Sequence, residues 1–118
     1  MSQNPSSKYY SDVPEISVRE ARTILDSGRT DVILLDVRDS WELDVACVRP
    51  YVHIPMNSLP DRLSELDPNM EILVFCRTGH RSGKVTEFLL QHGFTNVKNV
   101  RGGIHRWADD IDPELTKY

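Results

Sequence analysis

Cysteine is scarce in this sequence, which contains Cys47 and Cys76 and no other thiol among its 118 residues. The two are too far apart to form the C-x-x-C pair that is typical of redox and zinc motifs. The four histidines are scattered along the chain and add no ligand cluster. The sequence therefore predicts no metal site.

Positive charge is also in short supply, because 14 lysines and arginines stand against 18 aspartates and glutamates and leave a net charge of −4. Nucleic-acid-binding domains usually carry a basic surplus, so we expect no nucleic-acid partner. No apolar stretch approaches the roughly 20 residues of a membrane span, so we expect no membrane partner. The N-terminal segment lacks the apolar core of a secretory signal, which predicts a cytoplasmic protein in a reducing compartment.

What the sequence does contain is an alternation of short apolar runs and helical periodicities. The runs that predict strands lie at residues 32–35, 51–54, 72–75 and 97–100. The periodicities predict helices from Ser17 to Gly28, from about Trp41 to Val45 with Ser40 as the cap, at 59–66, from about Arg81 to Gly93, and at 104–111. This alternation predicts one α/β domain, with a mostly parallel central sheet of about five short strands and helices on both faces.

The same pattern predicts how the chain is divided. Residues 1–13 are polar and carry no periodicity, so we expect a flexible N-terminal arm. The folded domain is predicted to span residues 14–112, and residues 113–118 to form a short C-terminal tail. In sheets of this class the working site lies beyond the carboxyl ends of the strands.

One such strand end carries an unusual loop, F-C-R-T-G-H-R-S, at residues 75–82. Cys76 lies between a predicted buried strand and a helix that begins near Arg81 or Ser82. The first amides of a helix have no partner within it, and the helix dipole adds partial positive charge, so a thiolate is stabilised there. We therefore predict that Cys76 is a nucleophile that faces an anionic substrate.

The residues after Cys76 fit the same role. The arginines and the histidine add positive charge, Thr78 can donate a hydroxyl, and Gly79 lets the backbone curl tightly around an anion. The predicted substrate-binding residues are Arg77, Thr78, Gly79, His80, Arg81 and Ser82. The alternative is an inert buried cysteine beside a solvated turn. The order of strand, thiol, glycine, arginines and helix start favours the working thiol.

At these residues the chain resembles the rhodanese family. Residues 76–81 are similar to its six-residue active-site loop, which begins with the nucleophilic cysteine. Further matching segments follow the family's order: D-V-R-D-S-W-E at 36–42, H-I-P-M at 53–56, G-F-T-N-V at 93–97, and G-G-I at 102–104 with Trp107. The resemblance runs from about Glu15 to Ala108.

The resemblance implies a sulfurtransferase with a rhodanese-like fold. Cys76 would take a sulfane sulfur from thiosulfate or from a protein or small-molecule persulfide, and would pass it to a thiol or to cyanide. The loop amides would hold the outer sulfur, and no metal or organic cofactor would be needed. Arg77 and Arg81 would attract the small anionic donor, and Asp36 and Arg38 would support the fold or the loop.

Two other activities remain open. The domain could be a sulfur carrier that a cysteine desulfurase or another partner protein loads. It could instead be a phosphatase or arsenate reductase, whose loop has a cysteine, five residues and then an arginine. Here Ser82 occupies that last position and the arginine is at 81, so the loop is one residue too short to encircle phosphate with a bidentate arginine. The count favours sulfur transfer.

Several other residues are predicted to be structural. Cys47 could be a second sulfur acceptor, but we favour a half-buried small residue. Trp41 and Trp107 are expected to pack on helical faces. His53, His92 and His105 are expected to be structural as well.

Overall fold

Residues 13–118 are described by a computed structural model, so nearly all of the predicted N-terminal arm lies outside the described residues. The strands are β1 (Glu15–Ile16), β2 (Val32–Asp36), β3 (Val52–His53), β4 (Glu71–Phe75) and β5 (Val97–Val100). They form one sheet in the order β1-β5-β4-β2-β3, and each neighbouring pair is parallel. The predicted α/β domain with a parallel sheet of about five strands is confirmed.

Helices cover both faces of this sheet. They are α1 (Val18–Leu25), α2 (Ser40–Val45), α3 (Leu59–Arg62), α4 (His80–Gln91) and α5 (Gly103–Asp110), with 3₁₀ turns at Met56–Ser58 and Leu63–Glu65 on either side of α3. Within residues 13–118, no helix is long and apolar enough to cross a membrane.

The core has two apolar clusters, one on each face of the sheet. Successive strand residues alternate between them: Ile72 and Val74 pack with α3 and α4, whereas Leu73 and Phe75 pack with α1 and α5. All residues of β4 are buried. This is why residues 72–75, which follow Glu71 in the strand, form a continuous apolar run rather than an alternating one.

The helix boundaries differ from the sequence-based expectations by a few residues. Ser17 and Glu20 form the predicted capping box at the start of α1, but the helix ends at Leu25, before Gly28. Helix α2 is capped by Asp39 rather than by Ser40, because the Asp39 amide donates to the Glu42 carboxylate at 2.9 Å.

Two further differences affect the loop and the sheet edge. Helix α4 begins at His80, one or two residues earlier than predicted, with Gly79 as its cap in the left-handed region at φ +100°. Strand β1 has two residues and no apolar run, so its pairing with β5 was not predicted.

A fully buried ion pair connects β2 to its surroundings. The Arg38 guanidinium and the Asp36 carboxylate have no exposed surface, and they meet through hydrogen bonds of 2.8–3.2 Å. The guanidinium also donates to the Ala46 carbonyl at 3.0 Å. Asp36 lies in register with Phe75, the residue before Cys76, so the pair supports the point where the loop begins.

We expect Asp36→Asn to lower the free energy of unfolding by about 3–5 kcal/mol, because it leaves the buried Arg38 charge without its counter-ion. Urea denaturation at neutral pH measures this loss. The matched control is Asp26→Asn, because Asp26 pairs with Arg22 while their side chains are 62% and 50% exposed. Such a pair contributes less than about 1 kcal/mol. Equal losses in the two variants would contradict the importance of the buried pair.

Candidate active site

The loop that follows β4 is held at the carboxyl edge of the sheet by the start of α5. The Ile104 amide donates to the Cys76 carbonyl at 3.0 Å, and the His105 amide donates to the Arg77 carbonyl at 3.1 Å. A side chain at Gly103 would approach these two carbonyl oxygens more closely than 3.0 Å, so no larger residue fits there. The carbonyls of Cys76 and Arg77 therefore face α5.

The thiol of Cys76 is 1% exposed and lies among hydrogen-bond donors. The amides of Gly79 and Ser82 donate to Cys76 Sγ at 3.1 Å and 3.4 Å. The Ser82 hydroxyl lies 3.1 Å from the same sulfur. We call the main-chain amides of residues 77–82 the cradle. Two of them thus point at the sulfur, an arrangement that favours an anion.

Behind Ser82 lies a residue that the sequence analysis did not single out. The Ser82 hydroxyl donates to Asn99 Oδ1 at 2.6 Å, and Asn99 Nδ2 donates to the Gly79 carbonyl at 3.2 Å. Asn99 is 1% exposed in the middle of β5. The sequence could have pointed to Asn99, because V-K-N-V places this polar side chain in a strand whose two valines are buried.

Arg81 is engaged by a carboxylate. Its guanidinium donates two hydrogen bonds to Glu42, at 2.7 Å and 2.8 Å, and the Glu42 side chain is 3% exposed. These bonds hold the pKa of Glu42 at about 2, against the burial that opposes ionisation. The charge expected to attract an anionic donor is therefore compensated, and Arg81 joins the loop to α2.

The predicted C-terminal tail also reaches this site. The Tyr118 hydroxyl donates to Glu42 Oε1 at 2.8 Å and accepts from Arg38 Nη1 at 2.7 Å. Tyr118 thereby connects the buried Asp36–Arg38 ion pair to the Glu42–Arg81 ion pair, which holds the loop. The Arg77 guanidinium lies 5.0 Å from the centre of the Tyr118 ring and donates to the main-chain oxygen of the same residue.

Two expectations about aromatic and histidine side chains change here. Trp41 is 58% exposed rather than packed in the core, and its ring meets Tyr118 edge-on at 5.8 Å. His105 lies at the edge of the site, where its Nε2 is 3.3 Å from Arg77 Nε. Trp107 is buried against Phe75, as expected.

The remaining predicted residues lie around the loop or away from it. Thr78 is exposed, and it lines a pocket of about 390 Å³ together with Glu15, Gly79, His80, Asn99, Arg101 and Gly102. Cys47 is half-buried in another pocket, which Trp107 also lines and which lies on the α5 side of the sheet. The structure does not bring the two cysteines into one site.

Comparison with known proteins supports the resemblance seen in the sequence. The model of the rhodanese-like domain family matches residues 17–110. The chain belongs to the rhodanese-like domain family. The match lies inside the predicted domain of residues 14–112, whose own limits stay a prediction.

Relatives of this rhodanese-like domain differ in length. A sulfurtransferase of Allochromatium vinosum is 36% identical over 78 residues, which cover 66% of this chain and 73% of the relative. An adenylyltransferase and sulfurtransferase of Zea mays is 30% identical over 121 residues, which cover 97% of this chain and 26% of the relative. The chain therefore spans about a quarter of that longer protein.

The fold comparison agrees with the family assignment. A crystal structure of a rhodanese-like domain protein from Staphylococcus aureus superposes with a TM-score of 0.75 at 32% identity. The superposition covers 83% of this chain and 94% of that protein. Both comparisons give a rhodanese-like domain.

The Glu42–Arg81 pair predicts how stability depends on pH. The pKa of Glu42 is lowered from 4.5 to about 2 in the folded state. Its stabilising contribution is therefore complete above pH 4.5 and is lost as the pH falls towards 2. We expect Glu42→Gln to lower the free energy of unfolding by about 2–3 kcal/mol at pH 7 and to flatten its decline in acid.

Denaturant unfolding between pH 7 and pH 2 measures both effects of the Glu42 substitution. Glu65→Gln is the matched control, because Glu65 also pairs with an arginine, Arg62, but is 51% exposed. We expect this control to lose less stability than Glu42→Gln, because solvent screens an exposed ion pair. If the free energy of unfolding falls as steeply towards pH 2 in Glu42→Gln as in the unmodified protein, the role given to the Glu42–Arg81 pair is wrong.

The hydroxyl of Tyr118 can be tested without removing its ring. We expect Tyr118→Phe to lower the free energy of unfolding by about 1–3 kcal/mol, because Arg38 and Glu42 each lose a charge-assisted hydrogen bond. Thermal and urea unfolding measure the loss. Tyr51→Phe is the control, since the Tyr51 ring contacts Arg49 away from this network. An equal effect in both variants would refute the bridging role.

Proposed function

We propose that this rhodanese-like domain is a sulfurtransferase that moves a sulfane sulfur through a persulfide on Cys76. The observation that carries the proposal is the cradle itself. Two main-chain amides donate to Cys76 Sγ, while the carbonyls of Cys76 and Arg77 are bound by amides of α5. Main-chain donors aimed at the sulfur suit a thiolate and then an anionic persulfide.

Loading begins when the Cys76 thiol loses its proton to solvent. The thiolate attacks the outer sulfur of thiosulfate, so that an Sγ–S bond forms and the S–S bond of the donor breaks. Sulfite leaves with the electron pair of the broken bond. The product is a persulfide anion within reach of the loop amides.

Discharge reverses the roles. A thiolate or cyanide attacks the outer sulfur of the persulfide, and the Sγ–S bond breaks with its electron pair left on Cys76. The acceptor becomes a persulfide or thiocyanate, and Cys76 is left as a thiolate, which regains its proton from solvent. The balance of atoms and electrons needs no further oxidant or reductant, which agrees with the expectation that no cofactor takes part.

In this proposal the loop residues have separate roles. Arg77 is exposed and attracts the donor. The donor competes with Tyr118 for the Arg77 guanidinium. Arg81 fixes the loop through Glu42 and does not bind the donor directly. Thr78 and His80 line the pocket beside the loop, where a donor or acceptor can approach.

Phosphatase or arsenate reductase activity fits this site less well. The loop has an arginine after four intervening residues rather than five. In addition, the planar fork of Arg81 is already occupied by a carboxylate. Bidentate binding of a tetrahedral oxyanion needs that fork free.

Incubation with thiosulfate is expected to add one sulfur atom to the mass of the protein, and cyanide is expected to remove it as thiocyanate. Mass spectrometry of the intact protein, with a thiocyanate assay, measures both steps. Cys76→Ser should gain no sulfur, whereas the control Cys47→Ser should gain it as the unmodified protein does. Full sulfur transfer by Cys76→Ser would refute the mechanism.

A relay from a partner protein is the second candidate function. The observation that favours it is the Zea mays relative, in which the matching segment is about a quarter of a protein named for two activities. In a relay, a cysteine desulfurase or another protein persulfide loads Cys76 in the cytoplasm. Fast loading from the desulfurase persulfide, together with slow turnover of free thiosulfate, would favour the relay over the thiosulfate enzyme.

A further inference from the structure

The side chain of Asn99 has one possible orientation in its buried site. Its Nδ2 group lies 3.2 Å from the Gly79 carbonyl and 3.4 Å from the Glu15 carboxylate. Both partners accept hydrogen bonds, so the NH₂ group must face them. Oδ1, which can only accept, is therefore turned towards Ser82.

This orientation of Asn99 determines which atom receives the single hydroxyl proton of Ser82. The proton lies on the 2.6 Å bond to Asn99 Oδ1, because the asparagine oxygen has no proton to offer in return. Ser82 Oγ consequently faces Cys76 Sγ, 3.1 Å away, with a lone pair. A thiol satisfies this arrangement by donating its S–H to Ser82.

A thiolate does not satisfy it. If the Ser82 hydroxyl stays on Asn99, a lone pair meets the anionic sulfur of Cys76. If the hydroxyl rotates to donate to the sulfur, Asn99 Oδ1 is left buried without a donor, which is costly. The amides of the cradle favour the thiolate, and the hydroxyl in its resting orientation opposes them.

We infer that Asn99 is a positioning residue that acts through Ser82 to hold Cys76 in its thiol form at rest. Ionisation of the cysteine then requires the Ser82 hydroxyl to leave Asn99 and turn to the sulfur. The inference rests on the proposed role of Cys76 as the nucleophile. It does not require that sulfur is the group transferred.

Two substitutions at Asn99 separate its acceptor from its donor. Asn99→Ala and Asn99→Asp both remove the hydrogen bond to the Gly79 carbonyl, and they differ in whether an acceptor still faces Ser82. Both are made with Glu15→Gln, so that an amide rather than a second carboxylate faces Asp at position 99. Cys47→Ser is included throughout, so that Cys76 is the one thiol measured.

The readout is the rate at which iodoacetamide alkylates Cys76 at a fixed neutral pH, because the thiolate is the reacting form. Relative to the protein with Glu15→Gln and Cys47→Ser alone, Asn99→Ala is expected to react about 3–10 times faster, the range that one net hydrogen bond supplies. Asn99→Asp is expected to react more slowly than this reference, because a carboxylate holds the Ser82 proton more tightly.

A Ser82→Ala background distinguishes positioning from a loosened loop. Without the hydroxyl, Asn99→Ala should no longer change the alkylation rate, whereas a loosened loop would change it regardless. Asn96→Ala, at an exposed asparagine that precedes β5, is the surface control and should leave the rate unchanged. Circular dichroism verifies folding. If the Ala variant does not fold, Asn99→Asp decides the question through the same Ser82→Ala background, because a slower rate caused by the carboxylate charge alone would persist there.

An Ala variant that reacts at the reference rate, an Asp variant that is not slower, or an Ala effect that persists without Ser82 would each overturn the inference. Failure of the proposed function gives a different result. In that case thiosulfate adds no sulfur to the unmodified protein, while the alkylation rates still follow the substitutions at Asn99.

Discussion

The arrangement of this site depends on a guanidinium that has no access to water. Arg38 is fully buried, so each of its donors must find an acceptor within the protein. It binds the Asp36 carboxylate, the Ala46 carbonyl and the Tyr118 hydroxyl. One charge thereby fixes the end of β2, the segment after α2 and the C-terminal residues against each other.

The network then passes from the fold to the loop. Tyr118 shares its hydroxyl with Glu42, and Glu42 holds both nitrogens of the Arg81 fork. On the other side of the loop, Asn99 holds Ser82 and the Gly79 carbonyl. The cradle is thus anchored from α2 and from β5, which leaves its amides aimed at the sulfur of Cys76.

The sequence was sufficient to predict the architecture and the position of the loop. Buried parallel strands read as apolar runs, and a thiol that follows one of them directly lies at the working edge of the sheet. Strand β1 was missed because two residues give no periodicity. The partners of the loop were missed for a different reason: Glu42, Asn99 and Tyr118 lie far from the loop in sequence, and only the folded chain brings them to it. The role expected of Arg81 changed for the same reason, since a sequence shows a charge without its counter-ion.

The distance in sequence between the partners has a consequence for biosynthesis. Asn99 contacts Glu15 across 84 positions, and Arg38 contacts Tyr118 across 80. On the ribosome, the strand that supplies Asn99 emerges after the loop, and residue 118 later still. A nascent chain therefore exposes Cys76 before Asn99 and Tyr118 have emerged to complete its surroundings.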